Sequence, residues 1–306
     1  MRLVRSLHLP PLLVLLALGP SGCSDQAGNF NTTPPPGSDG EGSLNAECVP
    51  GDGTDSACPG MDCETILDAG FSTGDGSYWI APLGSGAPYE VACLMDSVYD
   101  GGGWTLTAVS SDDGQDTWTW NNRAYWDTDM TTFGSLVARN EDFKSPAHHE
   151  VSASDLLFVH APSGEWAAYN GANPSDDALS DFLGRVAQET CYANGVGGIP
   201  MSEGSITASG SLCSTSLYIN GADHDGIQGC GVDSAPDHAH GPHWSAGGND
   251  GCPLDDPGES GGFGPVASFP TTEWGAVGFG RALSLNTGAP RAAQNYIQVY
   301  VRSPTL

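Results

Sequence analysis

Two short polar stretches hold the residue types most able to do chemistry. Asp223-His224-Asp225-Gly226 places two carboxylates on a brief acidic loop. Asp237-His238-Ala239-His240-Gly241-Pro242-His243-Trp244, followed by Asn249-Asp250, brings together carboxylates, an amide and three imidazoles. Calcium takes about six to eight hard oxygen ligands, which carboxylates and amides supply. His238, His240 and His243, spaced His-x-His-x-x-His, would instead suit zinc or another transition metal. An ordinary solvated loop accounts for either stretch equally well.

Other candidates are weaker. Trp274 and Phe279 offer aromatic faces against which sugar C–H groups could stack, with core packing the alternative for at least one of them. Asp112, Asp113 and Asp116 would serve a further structural calcium or an acidic surface turn. His148-His149-Glu150 lacks the His-Glu-x-x-His spacing of a zinc protease helix. No Gly-x-Ser-x-Gly elbow occurs, and 37 acidic residues guarantee chance carboxylate pairs. The expectation is a protein that is not an enzyme.

The elements that would position these residues come from a chain of 306 residues with 43 glycines and 22 prolines, a balance that favours turns and short strands over helical bundles. A net charge of −28 excludes nucleic-acid binding and attraction to an anionic membrane surface. Lys144 is the only lysine.

Residues 1–22 read as a signal peptide: Arg2 and Arg5 precede an apolar run from Leu9 to Leu18 that is too short to span a bilayer permanently. Pro20-Ser21-Gly22-Cys23 resembles a lipobox, so Cys23 is the expected lipidation site and the only expected hold on a membrane is a lipid anchor. The expected location is the bacterial cell envelope, as an outer-surface lipoprotein, or the exterior. Residues 23–47, rich in Pro, Gly, Ser and Asp, read as a linker. Residues 48–62 read as a cysteine-containing lead-in, and 63–306 as the domain itself.

Eight further cysteines form an even set, as in disulfide-stabilised exported chains. Sequence neighbours suggest Cys48–Cys58, Cys63–Cys93, Cys191–Cys213 and Cys230–Cys252. Strand patterns fall at 78–81, 89–94, 104–109, 156–160, 215–219 and 295–302, and one helical pattern falls at Asp176–Glu189. Gly101-Gly102-Gly103 permits a tight turn into a core Trp104 on a strand with one buried face. The stretch 220–290 is glycine-rich and acidic with little regular pattern, which in a domain of this size points to functional loops.

Cys63, Tyr78-Trp79-Ile80, Cys93-Leu94-Met95-Asp96 and Gly101-Gly102-Gly103-Trp104-Thr105, in that order, resemble the start of a fibrinogen C-terminal-like domain. Thr132-Phe133-Gly134-Ser135, Asp142-Phe143-Lys144-Ser145-Pro146 and Val151-Ser152-Ala153-Ser154-Asp155-Leu156 are similar to the intelectin branch. The resemblance implies an α+β fold of mixed short-stranded sheets with few helices, long metal-pinned loops and a Cys63–Cys93 disulfide. It also implies calcium-dependent carbohydrate binding without catalysis, with a glycan or other small surface epitope as partner.

On that resemblance Asp223 and Asp225 correspond to a calcium loop. Asp237, His238, Asn249 and Asp250 correspond to the ligand-binding calcium, and Trp274 and Phe279 to the pocket wall. Zinc is the alternative metal, and a homo-oligomer is compatible with the reading. Two other functions stay open: a secreted metal-dependent hydrolase built on the 237–250 cluster, and a structural adhesion domain that binds protein partners.

Overall fold

The computed structural model describes residues 48–83, 86–96, 98–188, 198–208, 212, 214–219, 241–245, 262–263, 279 and 294–304. The signal-peptide, lipidation and linker expectations for residues 1–47 lie outside them.

The chain enters beside the first strand. The Cys48–Cys58 disulfide, with its Cα atoms 5.9 Å apart, closes a small loop. From that loop Gly53 O accepts Trp79 N, and Gly60 pairs in parallel with Ile80. Helix α1, Cys63–Asp68, follows a reciprocal capping box in which Asp62 Oδ1 accepts Thr65 N and Thr65 Oγ1 accepts Asp62 N. Strands β1 (Gly76–Ile80) and β2 (Tyr89–Leu94) form an antiparallel hairpin. The Cys63–Cys93 disulfide, Cα–Cα 5.7 Å, staples α1 to it.

Strand β3, Trp104–Ser111, follows the glycine turn. A 3₁₀ segment at Trp120–Trp126, the two-residue β4 (Phe143–Lys144) and helix α2 (Ala147–Glu150) come next. They are followed by β5 (Asp155–His160), β6 (Glu165–Tyr169), helix α3 (Leu179–Gln188) and β7 (Glu203–Gly204). β8 (Tyr218–Ile219), β9 (Pro242–Ser245), β10 (Gly262–Phe263) and β11 (Tyr296–Arg302) complete the described elements.

The main sheet has the order β1-β2-β3-β11-β5-β6-β7, with β4 added to β3, while β8, β9 and β10 form a separate three-stranded sheet. The terminal strand thus sits in the middle, between β3 and β5, antiparallel to both. This is a mixed α+β chain dominated by sheet, with few helices and at least two disulfides. Both expected N-terminal bridges are present. The pairings proposed for Cys191, Cys213, Cys230 and Cys252 involve residues outside the described set.

β3 is buried along its whole length, so the expectation of a single buried face is corrected. One side of the sheet holds Ala108, Leu156, Phe158, Ile297, Val299 and Val301. The other holds Trp104, Leu106, Val109, Leu157, Val159 and Tyr300. The register moves from Leu106↔Tyr300 to Ala108↔Val299, so Thr107 is an extra residue on β3. Such a bulge reverses which face the following residues occupy. Thr107 Oγ1, left without a side-chain partner across the strand, donates to Val299 O at 3.0 Å.

Gly101, Gly102 and Gly103 all have positive φ, at 90°, 84° and 78°. A Cβ on Gly102 would fall 2.5 Å from Met95 O, and one on Gly103 would fall 1.8 Å from Glu64 Oε2. The turn therefore needs glycine for conformation and for space.

Candidate functional site

Most residues singled out for ligand binding flank the small sheet. Asp223, Asp225, Asp237 and His238 belong to the connection from β8 to β9, and Asn249 and Asp250 to the connection from β9 to β10. These six, and Trp274, lie outside the described residues. β9 is four residues long, so the two connections start from points only roughly 10 Å apart.

β9 is fixed deep in the protein. Trp244 has no solvent exposure, and its indole Nε1 donates to Tyr169 Oη at 2.6 Å. Tyr169 Oη passes the chain on to Thr215 O, also at 2.6 Å. Phe158 meets the Trp244 ring edge-on at 4.9 Å and Phe279 does so at 4.7 Å. Phe279 is buried within this cluster, so it takes the core-packing role weighed for it beside that of pocket wall.

His243 is also buried, its Nδ1 donating to Gly241 O at 3.2 Å. Burial lowers its pKa to about 4, so it is neutral at neutral pH. Of the three histidines in the His-x-His-x-x-His spacing, this one packs against Tyr218, with ring centroids 5.9 Å apart. His238 and His240 lie outside the described residues.

A second polar centre lies where β3 ends. Asp112 is 1% exposed; its Oδ1 accepts Asn295 N at 3.0 Å, while its Oδ2 is buried with no hydrogen-bond partner. Asp142 is buried nearby in the chain's folding: its Oδ1 accepts Ser111 N at 2.9 Å, and its own N–H donates to Asp113 Oδ2 at 3.0 Å. Backbone amides thus orient the carboxylates of Asp112, Asp113 and Asp142. A buried carboxylate oxygen without a donor is costly unless a cation or proton meets it. Among the described residues no three His, Cys, Asp or Glu side chains are grouped to hold a metal ion by themselves, so an ion here would need carbonyl or water oxygens as well.

The third centre holds the only lysine. Lys144 is 1% exposed, and its ammonium donates to the main-chain carbonyl of Asp129 and lies 5.8 Å from the Tyr125 ring centroid. Burial lowers its pKa to about 8, opposed by the charges of Asp129 and Asp127. Beside it, His148 is fully buried, with Nε2 donating to Trp126 O at 2.9 Å. Burial lowers His148 to about 3 and His149 to about 4, with the Lys144 charge acting in the same direction on both. The His148 and His149 rings meet edge-on at 5.1 Å. Two neutral imidazoles and one ammonium packed against the 3₁₀ segment, with Trp118 stacked on Trp126 at 4.2 Å, form a structural plug.

Sequence reasoning missed Asp142 as a companion of Asp112. Thirty residues separate them, and the two-residue β4 that brings them together leaves no periodic trace.

No family model matches the chain. Among solved structures, a lamprey fibrin D-dimer complexed with the peptide ligand Gly-His-Arg-Pro-amide is similar at 20% identity and a TM-score of 0.26, over 36% of this chain. The matched part spans 34% of that chain's length, about a third.

Proposed function

We propose that this chain is an exported, non-catalytic recognition domain that binds carbohydrate with the help of calcium. The observation that supports it best is Asp112: a carboxylate 1% exposed, with Oδ2 unmatched by any donor, beside Asp113, whose Oδ2 accepts Asp142 N. A divalent cation supplies the missing positive charge, and hard oxygens are the ligands calcium prefers. The donor set therefore fits calcium better than zinc, which favours nitrogen and sulfur.

In this reading Asp112 supplies one carboxylate to a structural ion at the end of β3, and carbonyl and water oxygens complete its shell. Asp223, Asp225, Asp237, His238, Asn249 and Asp250 hold the ion that meets the ligand, and Trp274 supplies the stacking face. The buried Trp244–Tyr169 relay keeps β9 still between the two acidic connections. The finer assignment, an intelectin-like member of the fibrinogen C-terminal-like group, rests on the sequence motifs.

The test is retention of the full mature chain on a glycan array in calcium and again after chelation. Binding to a restricted glycan set that chelation abolishes supports the reading. Retention indifferent to chelation, or absent on every glycan while calcium is bound, overturns it.

A further inference from the structure

Asn170 and Gly171 stand, exposed, at the end of β6. Gly171 has φ +64°, and no heavy atom lies within 4 Å of where its Cβ would be. Gly171 N donates to Asp155 Oδ1 at 2.8 Å. Asn170 Oδ1 accepts from Arg302 Nη2 at 3.4 Å, and Asn170 Nδ2 donates to Asp100 Oδ2 at 2.8 Å. A backbone nitrogen thus faces a carboxylate, and the adjacent side-chain carbonyl faces a guanidinium.

We propose that Asn170-Gly171 is a self-promoted deamidation site, and that its product loosens the glycine turn. The Gly171 nitrogen attacks Asn170 Cγ, giving up its proton to Asp155 Oδ1 and from there to solvent. Negative charge gathers on Asn170 Oδ1, opposite Arg302. The Cγ–Nδ2 bond then breaks, nitrogen takes a proton from water and leaves as ammonia, and a five-membered imide remains. Water opens the imide to aspartate or isoaspartate. The net change is one water consumed and one ammonia released, with no oxidant or cofactor.

A base and an oxyanion partner held in place are the two devices that speed acyl chemistry. A side chain without Cβ on the following residue leaves room for ring closure. The product matters because Asn170 is the neutral member of a charged group. A carboxylate at position 170 would stand where the amide now meets Asp100 Oδ2, putting three acidic side chains around the one guanidinium of Arg302. Asp100 begins the turn at Gly101–Gly103, and its carbonyl is itself held by Arg302 Nη1 at 2.5 Å.

The experiment holds the full chain, folded in one sample and reduced and denatured in another, at the same neutral pH and temperature in isotope-labelled water. Peptide mapping by mass spectrometry then follows label uptake at residue 170. The expected result is faster conversion in the folded chain, by about tenfold or more. Equal or slower conversion in the folded chain overturns the proposal of self-promotion. The variant N170D is expected to melt at a lower temperature than the parent, and an unchanged Tm would overturn the link to the turn.

Discussion

The guanidinium of Arg302 lies 4.2 Å from the centroid of the Trp104 ring. The last residue of β11 thereby caps the tryptophan that follows the glycine turn. The same guanidinium pairs with Asp155 Oδ2 at 2.7 Å and with Asp100 Oδ2 at 3.1 Å, and donates to Gly102 O at 3.3 Å. One cation therefore joins the start of β3, the start of β5 and the end of β11. A charge stacked on an aromatic face and shared by two carboxylates holds the sheet centre in register.

Replacing Arg302 with alanine leaves Asp100 and Asp155 facing each other with no counter-charge in a setting only 13–17% exposed. The expected loss of stability is about 3–5 kcal/mol, measured by denaturant unfolding. R302K is expected to recover only part of it, because an ammonium cannot reproduce the paired contacts.

Substitutions in the glycine turn should be graded. G101A meets only Arg302 Nη1 at 3.7 Å, so its cost is the strain of a positive φ, of order 1 kcal/mol. G103A adds a collision with Glu64 at both Oε2 and Cα, and is expected to cost several times more or to prevent folding. Similar melting temperatures for the two variants would contradict the packing described for α1 and the turn.

Glu64 gives a pH signature. Burial raises its pKa to about 7, against the pull of Arg302. The fold favours its protonated form, so its stabilising contribution is complete below the unfolded value near 4.5 and is lost as pH rises through 7. E64Q should flatten that segment of the stability curve and exceed the parent by roughly 1–3 kcal/mol at mildly alkaline pH. Unfolding measured across pH 4–8 in both proteins, taken as a difference, removes the opposite slope from His148 and His149, whose lowered values favour folding as pH rises.

Lys144 carries the only ε-amine of the chain, and it is 1% exposed. Acylation by an amine-directed reagent is expected to spare residue 144 in the folded protein and to reach completion in denaturant, as read by intact mass and peptide mapping. Rapid labelling of Lys144 under native conditions would show that the plug under the 3₁₀ segment opens.

Much of the frame could be read from the amino acids. β2, β5 and β11 alternate or run apolar, and the glycine triplet before Trp104 marks its turn. α3 declared itself through Leu179, Phe182 and Leu183. Other features escaped because their signals are local or polar. α1 is a single capped turn and a half, announced only by Asp62 and Thr65. β3 reads as half-exposed because Thr105, Thr107, Ser110 and Ser111 interrupt it. Those side chains are buried, and hydrogen bonds satisfy several of them: Thr105 Oγ1 accepts Cys63 N, and Ser111 Oγ donates to Asn140 O. The Lys144 ammonium reaches a backbone carbonyl, which no pattern of side chains reveals. The acidic turn at Asp112 is visible as composition, whereas its pairing depends on Asn295, the residue before β11, 183 residues away.

Calcium uptake tests the account most directly. Titration calorimetry of the full mature chain, stripped of metal and compared with D112N, measures it. Saturable calcium binding with an upward shift in Tm, and loss of at least one ion in D112N while the variant stays folded, is the predicted result. A folded, metal-free chain that takes up no calcium would contradict it.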